Sequence, residues 1–181
     1  HESMKVMDTG LGRTAGDALS MRSVRNATLL AAASRQLIAI KGGFPVNTSR
    51  QNLITRDEIL DFQAYHEKEL DLAIEISSRA YGVLRQSRSG WAALAFLLVE
   101  ADPELAADFF DGLGSGAGMV EGDARLALRS WVLNRITQRR LIGWPELVAT
   151  GIRNWNAWID NRQLTHIKGW KPAHGWPEVA S

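Results

Sequence analysis

The stretch Asn26-Ala27-Thr28-Leu29-Leu30-Ala31-Ala32-Ala33-Ser34-Arg35-Gln36-Leu37-Ile38-Ala39-Ile40-Lys41 decides the fold. At a helical turn of about 100° per residue, Leu29, Leu30, Ala33, Leu37 and Ile40 fall within about 100° of one face. Gly42-Gly43 and Pro45 follow, and neither residue type continues a helix cheaply. The stretch therefore reads as a helix turned toward a core. The same period returns outward along the chain. Thr55-Arg56-Asp57-Glu58 fits a capping box at the start of a helix running to about His66. Glu67–Gln86 repeats Leu70, Ala73, Ile74, Ser77, Tyr81 and Leu84 three or four residues apart, and Trp91–Val99 is apolar enough to be buried on all sides.

Asp102-Pro103-Glu104 is a strong helix start, since Asp caps, Pro suits the first turn and the acid meets the positive end of the dipole. This acidic helix is expected to end before Gly112. Asp123–Arg140 reads as a basic helix, and the next helix, beginning at Trp144-Pro145-Glu146, has Leu147, Val148, Ile152, Trp155, Trp158 and Ile159 on a core face. Arg153, Asn154, Asn156, Asp160 and Asn161 lie on its polar face. Strand alternation is sparse. The expected class is all-α: a compact bundle of about six to eight helices with an irregular C-terminal arm. One helical domain covers 1–181, with 1–25 as a linker or the end of an upstream domain and 164–181 as an extended arm.

Composition excludes several functions. Of 181 residues, 45% are hydrophobic, enough for a substantial core and too many for a disordered chain. No cysteine is present, which rules out disulfides and thiolate zinc sites and fits a cytoplasmic setting. The longest apolar run is too short to span a bilayer, so no membrane partner is expected. The chain opens on His1 rather than Met, so its beginning can lie upstream.

Chemistry-bearing motifs mostly fail on context. Asp8-Thr9-Gly10 has the aspartic-protease triplet, but a helix near Thr14 replaces the strands that the paired carboxylates need. His66-Glu67 begins a zinc-protease motif, yet Leu70 stands where the second histidine belongs. His166 and His174 have no nearby nucleophile. Gly114-Ser115-Gly116 lacks a strand-to-helix elbow. Gly112–Ala117 matches a loose dinucleotide fingerprint, but it follows a helix carrying Asp108 and Asp111, whose charges repel phosphate. The expectation is a protein that is not an enzyme, with no metal and no cofactor.

Charge gives the functional pointer. Residues 100–124 hold seven acids and no Lys or Arg, whereas 125–171 hold nine bases against Glu146 and Asp160, together with five of the seven tryptophans. Cations beside flat aromatic surfaces suit phosphates and bases. Arg125, Arg129, Arg135, Arg139 and Arg140 fall within an arc of about 140° on an ideal helix, and Lys168 and Lys171 lie in the arm. These seven are the candidate nucleic-acid-binding residues. Leu128, Val132 and Ile136 share the arc, so the arginines either face a ligand or lay their stems over the core.

Residues 6–20, VMDTGLGRTAGDALS, with Asn26–Ala33, DPELAADFF at 102–110 and Trp155-Asn156-Ala157-Trp158, resemble the helical region that follows the front domain in phage and bacterial proteins similar to the ParB/sulfiredoxin-like group. The resemblance spans nearly the whole chain. It implies a helical region attached to a DNA-associated module. The ParB-like signature itself is absent, so no activity of that front domain is carried over. The leading expectation is a non-catalytic accessory domain binding duplex DNA in a salt-dependent way. The alternative is self-association, with segment 100–123 of one copy meeting 125–171 of another. A third possibility is an enzyme completed by an upstream domain.

Overall fold

A computed structural model describes residues 14–21, 26–44 and 54–181, and these build an all-α bundle with no strand among them. The Asp8-Thr9-Gly10 triplet lies outside the described residues. The helices are α1 (Ala15–Met21), α2 (Ala27–Lys41), α3 (Arg56–Tyr65), α4 (Glu67–Val83), α5 (Arg88–Ala101), α6 (Pro103–Ser115), α7 (Ala124–Thr137) and α8 (Trp144–Ile159). A short 3₁₀ turn, Pro172–His174, interrupts the irregular C-terminal segment.

Helix α5 is the axis of the bundle. Every residue from Gly90 to Val99 is buried, as expected of a helix that is apolar all round. Around it pack α2, α4, α6 and α8, with α7 laid against α6 and α8. Trp91 donates its indole N–H to the Leu84 carbonyl at 3.1 Å, which lets a polar atom enter the core without a lost hydrogen bond. Phe109 meets Trp155 edge to face at 5.5 Å and Phe110 at 5.9 Å, linking α6 to α8.

Local chemistry sets the helix starts. Thr55 and Glu58 form the capping box: the Glu58 amide donates to the Thr55 hydroxyl at 3.2 Å and the Thr55 amide to the Glu58 carboxylate at 2.7 Å. The Thr55 hydroxyl and then its backbone N–H hold the Glu58 carboxyl below its ordinary range. Asp102 accepts from the amides of Glu104 and Leu105 at 3.0 and 2.9 Å, with Pro103 in the first turn.

Three helix ends differ from the expected ones, and the first is α4, which stops at Val83 rather than Gln86. Helix α6 continues through Gly112 to Ser115, because its glycines serve close packing rather than a loop. A Cβ on Gly114 would sit 3.0 Å from the Arg79 carbonyl oxygen of α4. The turn comes at Gly116, whose φ of 72° is left-handed. Helix α7 stops at Thr137 rather than Arg140, for a reason that bears directly on the basic surface.

Candidate nucleic-acid interface

Three of the five arginines assigned to the basic helix are engaged inside the fold. Arg125 pairs with Asp123 at 2.8 Å, lies over the Trp158 ring at 4.9 Å and is 18% exposed. Asp123 also caps α7, accepting from the Arg125 amide at 2.8 Å. Burial pushes the Asp123 carboxyl upward, but the Arg125 side chain, its backbone N–H and its charge together outweigh burial and hold the group below its ordinary range. Arg129 donates to the carbonyls of Leu113 and Gly114, the negative end of the α6 dipole. Arg135 reaches Glu146 at 3.4 Å and lies over Trp131 at 5.5 Å. Helix α6 is thus joined to α7 through backbone carbonyls, while its own Asp111 pairs with Arg79 of α4.

Arg139 and Arg140 are different. The Arg139 amide donates to Ile136 at 2.9 Å and the Arg140 amide to Arg135 at 2.8 Å. This is the Schellman end of a helix, and it puts Arg139 in the left-handed position with φ of 54°. Glycine is the usual occupant there, because an L side chain crowds its own carbonyl. Both arginine side chains therefore leave the arc computed for an ideal helix. Both are exposed, and neither has an ion-pair partner among the described residues.

Helix α8 ends in the same way. Asn161 has φ of 51° and donates to Trp158, while Arg162 donates its amide to Ala157. The chain then doubles back. The Leu164 amide reaches the Gly122 carbonyl at 2.8 Å. Trp170 is buried and stacks on Trp176 at 5.3 Å, and Trp176 in turn stacks on Trp144 at 5.7 Å. At the end of the chain, Trp155 donates to the Ala180 carbonyl at 2.8 Å, and Asn156 exchanges hydrogen bonds with Glu178 and Ala180 at 2.8 and 2.9 Å. The segment expected to be an extended arm is irregular but strapped to the bundle. Its tryptophans pack within the fold, whereas Lys168 and Lys171 remain exposed.

Against the polar face of α8, this strap closes a pocket of about 290 Å³. Thr150, Arg153, Asn154, Asn156, Arg162, Leu164, His166, Ile167 and Lys168 line it, with no carboxylate among them. Arg153 is exposed. Arg162 touches Asp160 at 3.0 Å, but both members are about half exposed, and a surface pair of that kind contributes roughly 0–1 kcal/mol. Lys168 is the one predicted residue that this pocket gathers. The sequence reading did not single out Arg153 and Arg162, which line this pocket, although the period of α8 puts Arg153 on its polar face. Asn154, expected on that same face, is instead 2% exposed and donates to the Thr150 carbonyl at 2.8 Å.

Among the described residues, no group of three or more His, Asp and Glu side chains could hold a metal, and no helix is long and apolar enough to cross a membrane. Comparison with family models, with curated proteins and with solved structures returns no match.

Proposed function

We propose that the chain is a non-catalytic nucleic-acid-binding domain that meets duplex DNA through phosphate contacts. Exposed Arg139, Arg140, Lys168 and Lys171 carry those contacts, joined by Arg153. The supporting observation is Arg139: a guanidinium with no ion pair among the described residues stands at a left-handed backbone position where glycine would be more stable. Backbone strain at a non-glycine residue clusters at functional positions. Arg125, Arg129 and Arg135 act on this reading as internal ties. The resemblance to a region attached to a DNA-associated module points the same way.

Cations of this kind displace counterions from phosphates, giving tight binding at low salt with little preference for sequence. Anisotropy of a labelled random duplex, titrated at low and then moderate salt, tests the proposal. The Arg139→Ala, Arg140→Ala double variant should bind less tightly, and its log–log salt slope should shrink by about two. A duplex that does not bind at low salt overturns the reading. Self-association is then the better account, favoured by Leu141, 89% exposed, and by the exposed Glu104 and Asp108 of α6. It predicts a mass that grows with protein concentration and falls in salt.

A further inference from the structure

A clamped loop at one end of the bundle and an open pocket at the other carry complementary chemistry. Gln86, 5% exposed, donates its side-chain amide to the Arg140 carbonyl at 3.4 Å and accepts from the Ile142 amide at 3.1 Å. Held on both sides, the chain turns Ile142 into the core and Leu141 outward. Leu141 is the most exposed large hydrophobic side chain among the described residues, and exposed Arg139 and Arg140 precede it. An apolar side chain held out by a buried clamp is preorganised for contact. Tyr65, at the end of α3, is the next most exposed at 84%. Its ring stands edge-on to His66 at 4.7 Å, and His66 lies 4.5 Å from Phe62. With Ile38 of α2 these rings line a pocket of about 380 Å³, edged by Glu58 and Asp61 and without a Lys or Arg in its lining. Asp61 is exposed and has no ion pair among the described residues.

We infer that the chain docks onto a second copy of itself, Leu141 of one copy entering the Tyr65 pocket of the other, with Arg139 and Arg140 beside Asp61 and Glu58. Charge complementarity selects this occupant: two exposed cations adjoin the apolar anchor, and two exposed carboxylates adjoin the apolar pocket. In such a contact the apolar centre excludes water while the charged rim fixes register and rejects other partners. The two surfaces lie at opposite ends of α4, since His66 precedes its first residue and Gln86 follows soon after its last. The 17 residues of that helix span about 25 Å, so no copy fills its own pocket. A surface that matches a pocket elsewhere on the same molecule joins one copy to another. The pocket takes a leucine side chain and is too open to bury much more, so the contact is a weak one that salt loosens. The inference does not rest on duplex binding. Arg139 and Arg140 belong to both surfaces, so duplex and second copy compete for them.

Sedimentation velocity of the full chain over a wide concentration range, at low and then high salt, tests it. Wild type should grow in mass with concentration and return toward single chains in high salt. Leu141→Asp spoils the anchor and Asp61→Lys spoils the pocket, and each should weaken association by about tenfold or more. Mixed in equal amounts, the two variants should regain it. The Asp61→Lys copy keeps its Leu141 and the Leu141→Asp copy keeps its pocket, so recovery reports this pairing and not a change in folding. Tyr65→Ala and Leu141→Ser repeat the losses without adding charge, and their melting temperatures should match wild type because both side chains are exposed. A wild type that stays a single chain at about 1 mM overturns the inference. So do variants that associate as wild type does, and so does a mixture that stays unassociated. Leu141→Ser keeps both arginines, so it should bind duplex like wild type while losing association. Absent duplex binding with association intact removes the proposed duplex surface and leaves this contact standing.

Discussion

Replacing Arg139 by glycine should make the protein more stable and less able to bind duplex. The left-handed backbone costs an L residue roughly 1–2 kcal/mol. Glycine removes that strain but adds unfolded-state freedom worth about 0.5–1 kcal/mol, so the net gain is about 0.5–1 kcal/mol. Little offsets this gain, since the Arg139 side chain is exposed and has no ion pair among the described residues to lose. In a domain of this size, a gain of that order raises the melting temperature by about 1–4 °C. Thermal unfolding followed by circular dichroism reads the first effect. Duplex anisotropy against salt reads the second, with the slope falling by about one for the single lost contact. Arg139→Asn is the control, because asparagine tolerates the left-handed region while removing the charge. A lower melting temperature in the glycine variant would mean that the arginine stem stabilises the α7 end. Unchanged duplex affinity would remove Arg139 from the interface. Either result refutes the argument that the strain is kept to present a charge.

Other perturbations probe the scaffold. Gly151→Ala would set a Cβ 2.3 Å from a methyl of fully buried Leu94, where α8 crosses α5. Overpacking of about 1–3 kcal/mol should exceed the helix-propensity gain of about 1 kcal/mol, giving a lower urea midpoint. Asp123→Ala should cost about 1–2 kcal/mol at neutral pH through the lost cap. Because the Asp123 carboxyl is lowered in the folded state, its contribution is fully present above the unfolded value near 3.9 and is lost as pH falls through the folded value. The stability gap between wild type and Asp123→Ala, read by urea titration, should therefore stay constant down to about pH 4 and close below it. Trp176→Ala breaks the stack joining Trp144 and Trp170, and should cost about 1–3 kcal/mol and speed hydrogen exchange at the Ala180 amide.

The helices were legible where one local signal was enough. Thr55 and Glu58 carry both halves of a capping box within four residues, and the structure closes both bonds. Asp102 and Pro103 likewise start α6 where dipole and cap agree. The ends were harder to read. Gly112 and Gly114 resemble stop signals, but they are needed inside α6 because Arg125 and the Arg79 backbone approach there. That approach depends on α4 and α7, neither of which is local to the glycines. At α7 the error runs the other way. The Schellman turn has arginine where glycine usually marks the end, so a reading based on residue type carries the helix two or three residues too far.

The same turn explains why the five arginines of the helical wheel do not form one exposed face. Within α7, each arginine finds a partner that the wheel cannot show: Asp123 and Trp158, the α6 carbonyls, or Glu146 and Trp131. A guanidinium that can lay its stem over a ring and reach an acceptor does so, and its charge becomes internal. Arg139, Arg140 and Arg162 stay outward where the chain has left a helix and the nearby carbonyls are already held by the backbone. In α7 and α8 alike, the Schellman bonds occupy the last carbonyls and an arginine follows, Arg140 in one and Arg162 in the other. Arg153 and Lys168 then meet Arg162 only because the strap folds back through Leu164 and Trp170. No periodicity relates those positions. A sequence reading that followed helix ends and the folding back of the tail, rather than net charge per segment, would have placed exposed arginines at the termini of α7 and α8.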